Sequence, residues 1–238
     1  MNNQKSDLKI EELPPAISLP VFLVMLLAVS LGAMVAVMVL PVFIPGISTS
    51  LNGSAPHAFW FLSRTSAIVA YLLLWCSMCL GLIITNKLAR LWPGGPVAFD
   101  LHQYTSLLGV GFILFHGLIL LGDRYLHTTF LHTAIPFALT EYHPFWVGLG
   151  QLGFYLTVGV TFSFYVRKQI TPRRWRLLHY LSFFAFVFAL LHAITSGTDS
   201  TAGWMQAIYW ISGGTFLFLL IYRILVTVFK PVTKRQAA

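Results

Sequence analysis

Charged residues are scarce in this chain. Of its 238 residues only 9% are Asp, Glu, Lys or Arg, while 57% are hydrophobic, and a soluble domain usually carries about 25% charged residues. This composition excludes a soluble globular protein and indicates an integral membrane protein. Among the charged residues the acidic ones are the rarer, and all seven fall in loops, tails or the ends of apolar runs. The lack of carboxylates inside these runs disfavours a proton or metal transporter.

Cysteine is almost absent as well. Cys76 and Cys79 form a C-x-x-C pair, a spacing found in redox motifs, but the flanks LLLW and LGLII place both residues at mid-membrane depth. This context favours small apolar side chains that fill space. The net charge of +8 comes from clustered basic residues. It therefore serves as a topology signal and predicts no nucleic-acid partner.

Long apolar runs are what the sequence does contain. Each of six runs is long enough to cross a hydrocarbon layer of about 30 Å as a helix. The first is read as a retained anchor because it is too long for a typical signal peptide. We therefore predict an all-α, six-helix integral membrane bundle over residues 16–230, with tails at 1–15 and 231–238. The predicted spans are 17–40, 58–84, 101–122, 145–166, 177–195 and 204–229.

The distribution of basic residues predicts the orientation of these spans. Six spans place both termini on one side, and thirteen of the fifteen Lys and Arg residues lie in the tails or next to the exits of the even-numbered spans. Only Arg64 and Arg124 lie on the opposite side. The positive-inside bias then makes both termini cytoplasmic. The third and fifth spans consequently run in the same direction, from the inside to the outside.

Each of these two parallel spans carries a histidine near each end. His102 and His116 are 14 residues apart, and His179 and His192 are 13 residues apart, which corresponds to about 21 and 20 Å along a helix. The orientation places His102 and His179 at the cytoplasmic level, with His116 and His192 at the outer level. Histidine is a standard axial ligand of haem iron. The pattern therefore favours two haems at two depths, although a single membrane histidine is often only an interhelical hydrogen-bond partner.

The two intervals are not equivalent on an ideal helix. Fourteen residues return to within about 40° of the same face, whereas thirteen residues end about 140° away. His179 and His192 therefore require either a bend or bulge in the fifth helix, or two haems on different flanks of it. The residues alone leave both alternatives open.

Two arginines are candidate partners for anionic haem propionates, which attract cationic side chains. Arg176 lies about one turn before His179 and is the candidate at the inner level. Arg64 enters the second span from the outside and is the candidate at the outer level, with a headgroup anchor as its alternative role. The outer loop histidines His127, His132 and His143 leave open a separate iron or copper site.

These residues together resemble the ferric-reductase-like transmembrane family, which includes the membrane parts of NADPH oxidases and ferric reductases. The similarity covers about residues 58–229, through the six-span layout, H-x13-H at 102–116 and H-x12-H at 179–192. The stretches SRTSAIVAYLLLW and RRWRLLHYLSFFAFVFALLHAITSGTDS look especially like bacterial single-domain members. The resemblance implies a multi-pass protein of the bacterial cytoplasmic membrane with two haem b groups. His102 and His179 would ligate the inner haem, with His116 and His192 ligating the outer one.

The resemblance also implies electron transport across the membrane. Larger members of the family continue into a flavin and nicotinamide domain. We expect no such domain in this chain, because its G-x-G-x-x-G stretch, GLGQLG at 148–153, lies inside the predicted fourth span and not between a strand and a helix. We therefore expect a membrane oxidoreductase subunit, surrounded by lipid, that takes electrons from a separate flavin/nicotinamide reductase or another redox protein. The outer acceptor is ferric iron, oxygen, a quinone or a redox protein. The alternative is an accessory or structural subunit of a larger membrane complex, with or without haem.

Overall fold

The computed structural model describes residues 14–43, 58–123 and 128–229, and in these ranges the regular structure is all helical, with no β-strand. Nine α-helices occur within them: α1 Leu19–Met38, α2 Leu40–Phe43, α3 Ala58–Thr85, α4 Gly95–Ile119, α5 Phe130–Ala134, α6 Pro144–Tyr165, α7 Pro172–His179, α8 Leu181–Ser196 and α9 Gly203–Val228. Most of the two predicted tails, together with Arg124 and His127, lies outside the described residues.

Six helical segments are long and apolar enough to cross a membrane. They contain 22 to 28 residues each, and a helix rises about 1.5 Å per residue, so each exceeds a hydrocarbon core of about 30 Å. This confirms the predicted all-α organisation with six potential spans. The segments are Leu19–Phe43, Phe59–Thr85, Gly95–Gly122, Pro144–Tyr165, Pro172–Ser196 and Gly203–Val228.

Two helices begin earlier than the predicted spans 101–122 and 177–195. The third span begins at Gly95, with Pro96 in its first turn. The fifth begins at Pro172, where Thr171 caps the helix by accepting a hydrogen bond from the backbone N–H of Arg174. Proline is well tolerated in a first turn because the N–H groups there have no partner within the helix. The apolar pattern missed these turns because residues 95–100 begin with Gly-Pro and end in Asp100, while residues 172–176 contain three arginines.

The helices pack in two close pairs. α3 lies along α4 and α6 lies along α8, while α1 covers α4 and α9 covers α3. Among the described residues, α4 and α8 have almost no direct backbone contact. A gap therefore separates α4 from the fifth span, and the side chains of the predicted histidines reach across it.

The apolar core and the apolar exterior are both consistent with a lipid environment. Tyr71 of α3 hydrogen-bonds Ser212 of α9 at 2.5 Å within the main core cluster. On the outside, Trp210 is 81% exposed and Phe218 is 68% exposed. A large exposed apolar surface is rare on soluble monomers and marks contact with a partner or a membrane. The remaining core residues are Leu74, Met78, Leu82, Phe186, Met205, Tyr209 and Phe216.

Candidate functional site

The structure brings the four predicted histidines together in two pairs. The ring centres of His102 and His179 are 6.0 Å apart, and their planes are inclined by 68°. The ring centres of His116 and His192 are 6.4 Å apart, and their planes are inclined by 63°. α4 supplies one histidine to each pair, while His179 ends α7 and His192 lies in α8. These are the two pairs that the charge distribution placed at common levels.

Both distances match two imidazoles that share one metal ion. A metal–imidazole nitrogen bond is about 2 Å long, as in zinc sites, and the centre of a five-membered ring of bonds near 1.3 Å lies about 1.1 Å beyond that nitrogen. Two ligands on opposite sides of one ion therefore place their ring centres about 6 Å apart. The observed separations of 6.0 and 6.4 Å agree with this arrangement.

A tight turn lies between the two histidines of the fifth span. α7 ends and α8 begins on either side of Tyr180. Tyr180 keeps helical dihedrals, with φ −64° and ψ −18°, and its N–H donates to the carbonyl of Arg176, four residues back. The N–H of Phe183 donates to the carbonyl of Tyr180, three residues back instead of four. One turn of this kind adds about 20° of rotation, so the offset of about 140° between His179 and His192 stays close to that of a regular helix.

Backbone carbonyls fix the protonation of three of the four imidazoles. Nδ1 of His102 lies 2.8 Å from the carbonyl of Ser77, and Nδ1 of His116 lies 2.9 Å from the carbonyl of Ser63. Nδ1 of His192 lies 3.1 Å from the carbonyl of Trp146. A carbonyl can only accept, so each Nδ1 must carry the hydrogen, and in the neutral ring Nε2 then keeps its lone pair. This is the tautomer that binds a metal through Nε2.

The fourth imidazole is held differently. No hydrogen bond to His179 occurs among the described residues, and its ring instead packs on the indole of Trp175, with the ring centres 5.2 Å apart and the planes inclined by 34°. Trp175 is one turn earlier in α7. The inner pair therefore has one hydrogen-bonded histidine, whereas both histidines of the outer pair are hydrogen-bonded.

Two glycines lie beside the imidazoles, and their lack of a side chain makes room for the rings. A Cβ placed on Gly150 of α6 would lie 2.7 Å from Cγ of His192, and a Cβ on Gly81 of α3 would lie 3.3 Å from Cε1 of His102. A Cβ contact under 3.0 Å is essentially never seen, so only glycine fits at position 150 without a shift. Neither glycine was predicted from the sequence, nor were the contacts of Ser63 and Ser77.

A cavity of about 410 Å³ adjoins the outer pair. His116 and His192 line it together with apolar side chains such as Ile113, Leu114 and Phe154. Its size lies within the range of about 300–1,000 Å³ that is usual for small-molecule and cofactor sites. The walls of the cavity are predominantly apolar.

Arg64 lines the same cavity as His116 and His192. Its Nε lies 3.1 Å from Oδ2 of Asp199, and its guanidinium lies 4.9 Å from the ring centre of Phe61. The ion pair with Asp199, which offsets part of the positive charge, was not predicted from the sequence. Arg176 is exposed in α7, three residues before His179.

The loop histidines do not form a metal cluster within the part of the chain that the structure describes, where no group of three or more His, Cys, Asp and Glu side chains could hold an ion. His132 lines the outer cavity, and the His143 ring packs on that of Tyr142 at 4.6 Å. His127 lies outside the described residues.

The two histidine pairs differ from such a cluster because a haem macrocycle itself supplies four nitrogens to the iron. Both imidazoles of the outer pair keep an Nε2 lone pair, so this pair fits the ligation of a haem iron by two histidines.

Comparison of the chain with protein-family models, with curated proteins and with solved structures found no match.

Proposed function

We propose that this chain is a bis-haem b-type membrane cytochrome that carries electrons between the two faces of a membrane. The observation that carries the proposal is the pairing of four intramembrane histidines at ring-centre distances of 6.0 and 6.4 Å. Ionisable side chains inside a bilayer are costly and usually functional. A role in helix packing alone does not require two pairs that each have the spacing of a shared metal ion.

The proposed orientation follows the basic residues. Both termini face the cytoplasm, so His102 and His179 lie at the inner level, with His116 and His192 at the outer level. The two levels are separated by about 21 Å along α4. The resemblance to the ferric-reductase-like family supports the same pairing and a place in the bacterial cytoplasmic membrane. It also supports a separate flavin/nicotinamide reductase as the electron donor.

The residues of each site have distinct tasks. When bound, haem supplies one-electron redox chemistry at its iron. Each pair of histidines would hold one haem, and ligation by two protein side chains would favour electron transfer to an outer acceptor over binding of that acceptor at iron. The apolar walls of the outer cavity exclude water. Arg64 offers positive charge to anionic propionates there, and Arg176 is the corresponding candidate at the inner level.

The absorption spectrum of the purified protein tests the proposal. We expect a low-spin b-type spectrum in both redox states and two haems per chain by pyridine haemochrome assay. A protein expressed with ample haem that folds, purifies as a stable species and shows no such signal would contradict the proposal. That result would favour the alternative of an accessory membrane subunit.

Substitution of Gly150 by alanine is expected to disturb only the outer haem. The added Cβ would lie 2.7 Å from the His192 ring, so the imidazole must move away from its position opposite His116. We expect partial loss of the outer haem or a mixed high-spin signal, measured by haem quantitation and electron paramagnetic resonance.

The matched control for this variant is Gly159→Ala in the same helix. A Cβ on Gly159 meets nothing within 4 Å, and alanine favours a helix by about 1 kcal/mol over glycine. This control should keep both haems. Gly81→Ala, with its longer contact of 3.3 Å to His102, should have a weaker effect, confined to the inner haem. Equal haem loss in all three variants would show that the space beside His192 is unimportant.

A further inference from the structure

Two serines of α3 contact the two histidines of α4. Ser63 Oγ lies 2.7 Å from Nδ1 of His116, and Ser77 Oγ lies 3.1 Å from Nδ1 of His102. Ser63 and Ser77 are 14 residues apart, as are His102 and His116, and the order of the contacts is reversed. Antiparallel packing of α3 along α4 with equal intervals therefore gives each α4 histidine one serine.

The hydrogens at the outer contact can be assigned individually. The hydroxyl of Ser63 donates to the carbonyl of His116 at 3.0 Å. Its single hydrogen is then used, so towards the imidazole Oγ can only accept. Nδ1–H of His116 consequently donates to Oγ at 2.7 Å and to the Ser63 carbonyl at 2.9 Å. The imidazole is clamped by two acceptors from one residue.

The inner contact has the same assignment through one additional hydroxyl. Ser106 Oγ donates to the carbonyl of His102 at 2.7 Å, which uses its hydrogen. The hydroxyl of Ser77 then donates to Ser106 Oγ at 2.6 Å. Ser77 Oγ can therefore only accept from Nδ1–H of His102, beside the Ser77 carbonyl. Every hydrogen in this network has one consistent position.

Both serines are sealed from solvent. Ser63 is 2% exposed and Ser77 is 6% exposed. A hydrogen bond in such surroundings is not exchanged for one with water, and loss of one partner leaves a buried polar group unsatisfied. The acceptors are thus a permanent part of the environment of each α4 imidazole.

We propose that Ser63 and Ser77 are positioning residues that hold His116 and His102 as the Nδ1-protonated tautomer and increase the electron density at Nε2. This inference rests on the proposed haem function and deepens it. Partners that accept from the second nitrogen of a ligating histidine orient the ring and raise its basicity. A more basic ligand stabilises ferric over ferrous iron. Each serine therefore lowers the reduction potential of one haem, Ser63 at the outer site and Ser77 at the inner site.

The test is a spectroscopic redox titration of the purified, haem-loaded full chain. Loss of an outer-shell partner usually costs about 10–100-fold in metal affinity. Because the backbone carbonyl remains in an alanine variant, we expect a loss at the lower end, and the preceding argument places it on the ferric state. A tenfold loss of ferric over ferrous affinity is an upward shift of about 60 mV in a one-electron couple. Ser63→Ala should shift only one of the two haems, Ser77→Ala only the other, and the double variant both.

Ser163→Ala is the matched control. Ser163 of α6 is also buried, at 7% exposure, but its hydroxyl donates to the carbonyl of Val160. Both potentials should remain at their wild-type values in this variant. The His179→Ala background, in which only the outer haem has two ligands, identifies the haem that Ser63 affects. Ser63→Thr keeps the hydroxyl and should keep the wild-type potential.

The outcomes separate the two proposals. Two bound haems with unchanged potentials in both alanine variants would overturn the role of the serines and leave the cytochrome function intact. A wild-type protein that cannot bind haem would overturn both. If Ser63→Ala loses the outer haem altogether, the haem content of Ser63→Thr decides between the two explanations. Retention of the outer haem in Ser63→Thr would support a role of the hydroxyl. Haem loss in both variants would show that side-chain volume matters instead and would overturn the inference.

Discussion

Replacement of His116 or His192 by alanine is expected to remove one low-spin haem and leave the other unchanged. The centres of the two rings lie 6.4 Å apart, so in the proposed function either substitution would remove a ligand from the same iron. The measurement is haem content per chain together with the amplitude of the low-spin signal. We expect the low-spin population to fall by half in each single variant.

Double variants make this expectation a test of the pairing itself. If His116 and His192 serve one iron, their joint substitution should cost no more than either single change, because ligands of one site act as a unit. Substitution of His116 together with His179 should instead remove both low-spin signals, since one ligand is lost from each pair. The reverse pattern, with one signal retained only in the His116/His179 double variant, would contradict the observed pairing.

The control is His143→Asn, a histidine outside the two pairs. His143 adopts a left-handed backbone with φ of 40° at the start of α6, a conformation that asparagine tolerates. Both haem signals should persist in this variant. Size-exclusion chromatography of every variant distinguishes loss of a ligand from loss of the fold.

Joint substitution of His102 and His179 by alanine is expected to abolish electron transfer across the membrane. The inner pair, with its rings 6.0 Å apart, is the entry site in the proposed function, and the outer pair is about 21 Å away along α4. Without the inner haem an electron would have to cross most of the hydrocarbon layer in one step. We expect the rate to fall to that of protein-free vesicles.

Proteoliposomes provide the measurement. A membrane-impermeant reductant is enclosed inside, and ferricyanide outside reports the electrons that arrive. Random insertion does not affect the comparison, because an electron requires both haems in either direction. His143→Asn should transfer electrons as the wild type does. A rate that survives the loss of the inner pair, at equal protein content, would exclude the proposed conduit.

Several features of the molecule were predictable because they depend on composition and on short intervals. Six apolar runs predicted six spans, since a helix needs about 20 apolar residues to cross a bilayer. The scarcity of charge made four intramembrane histidines conspicuous. The 14-residue interval between His102 and His116 predicted one shared face of a regular helix, and both residues lie in the uninterrupted helix α4. These signals all reside in local sequence.

The rest was decided by tertiary structure. The contacts of Ser63 with His116, Ser77 with His102 and Trp146 with His192 join residues 53, 25 and 46 positions apart. They depend on how each helix is rotated about its axis. Spans that are apolar on every side have no amphipathic pattern from which that rotation can be read.

The fifth span shows the same division. Thirteen residues between His179 and His192 indicated that a regular helix would not present both rings alike, which is a matter of helix geometry alone. Only the fold placed a tight turn at Tyr180 between them. Sequence by itself therefore determined that the protein carries two levels of membrane histidines. Packing of distant helices decided which nitrogen of His102, His116 and His192 is free, because a carbonyl from another helix holds the hydrogen on Nδ1.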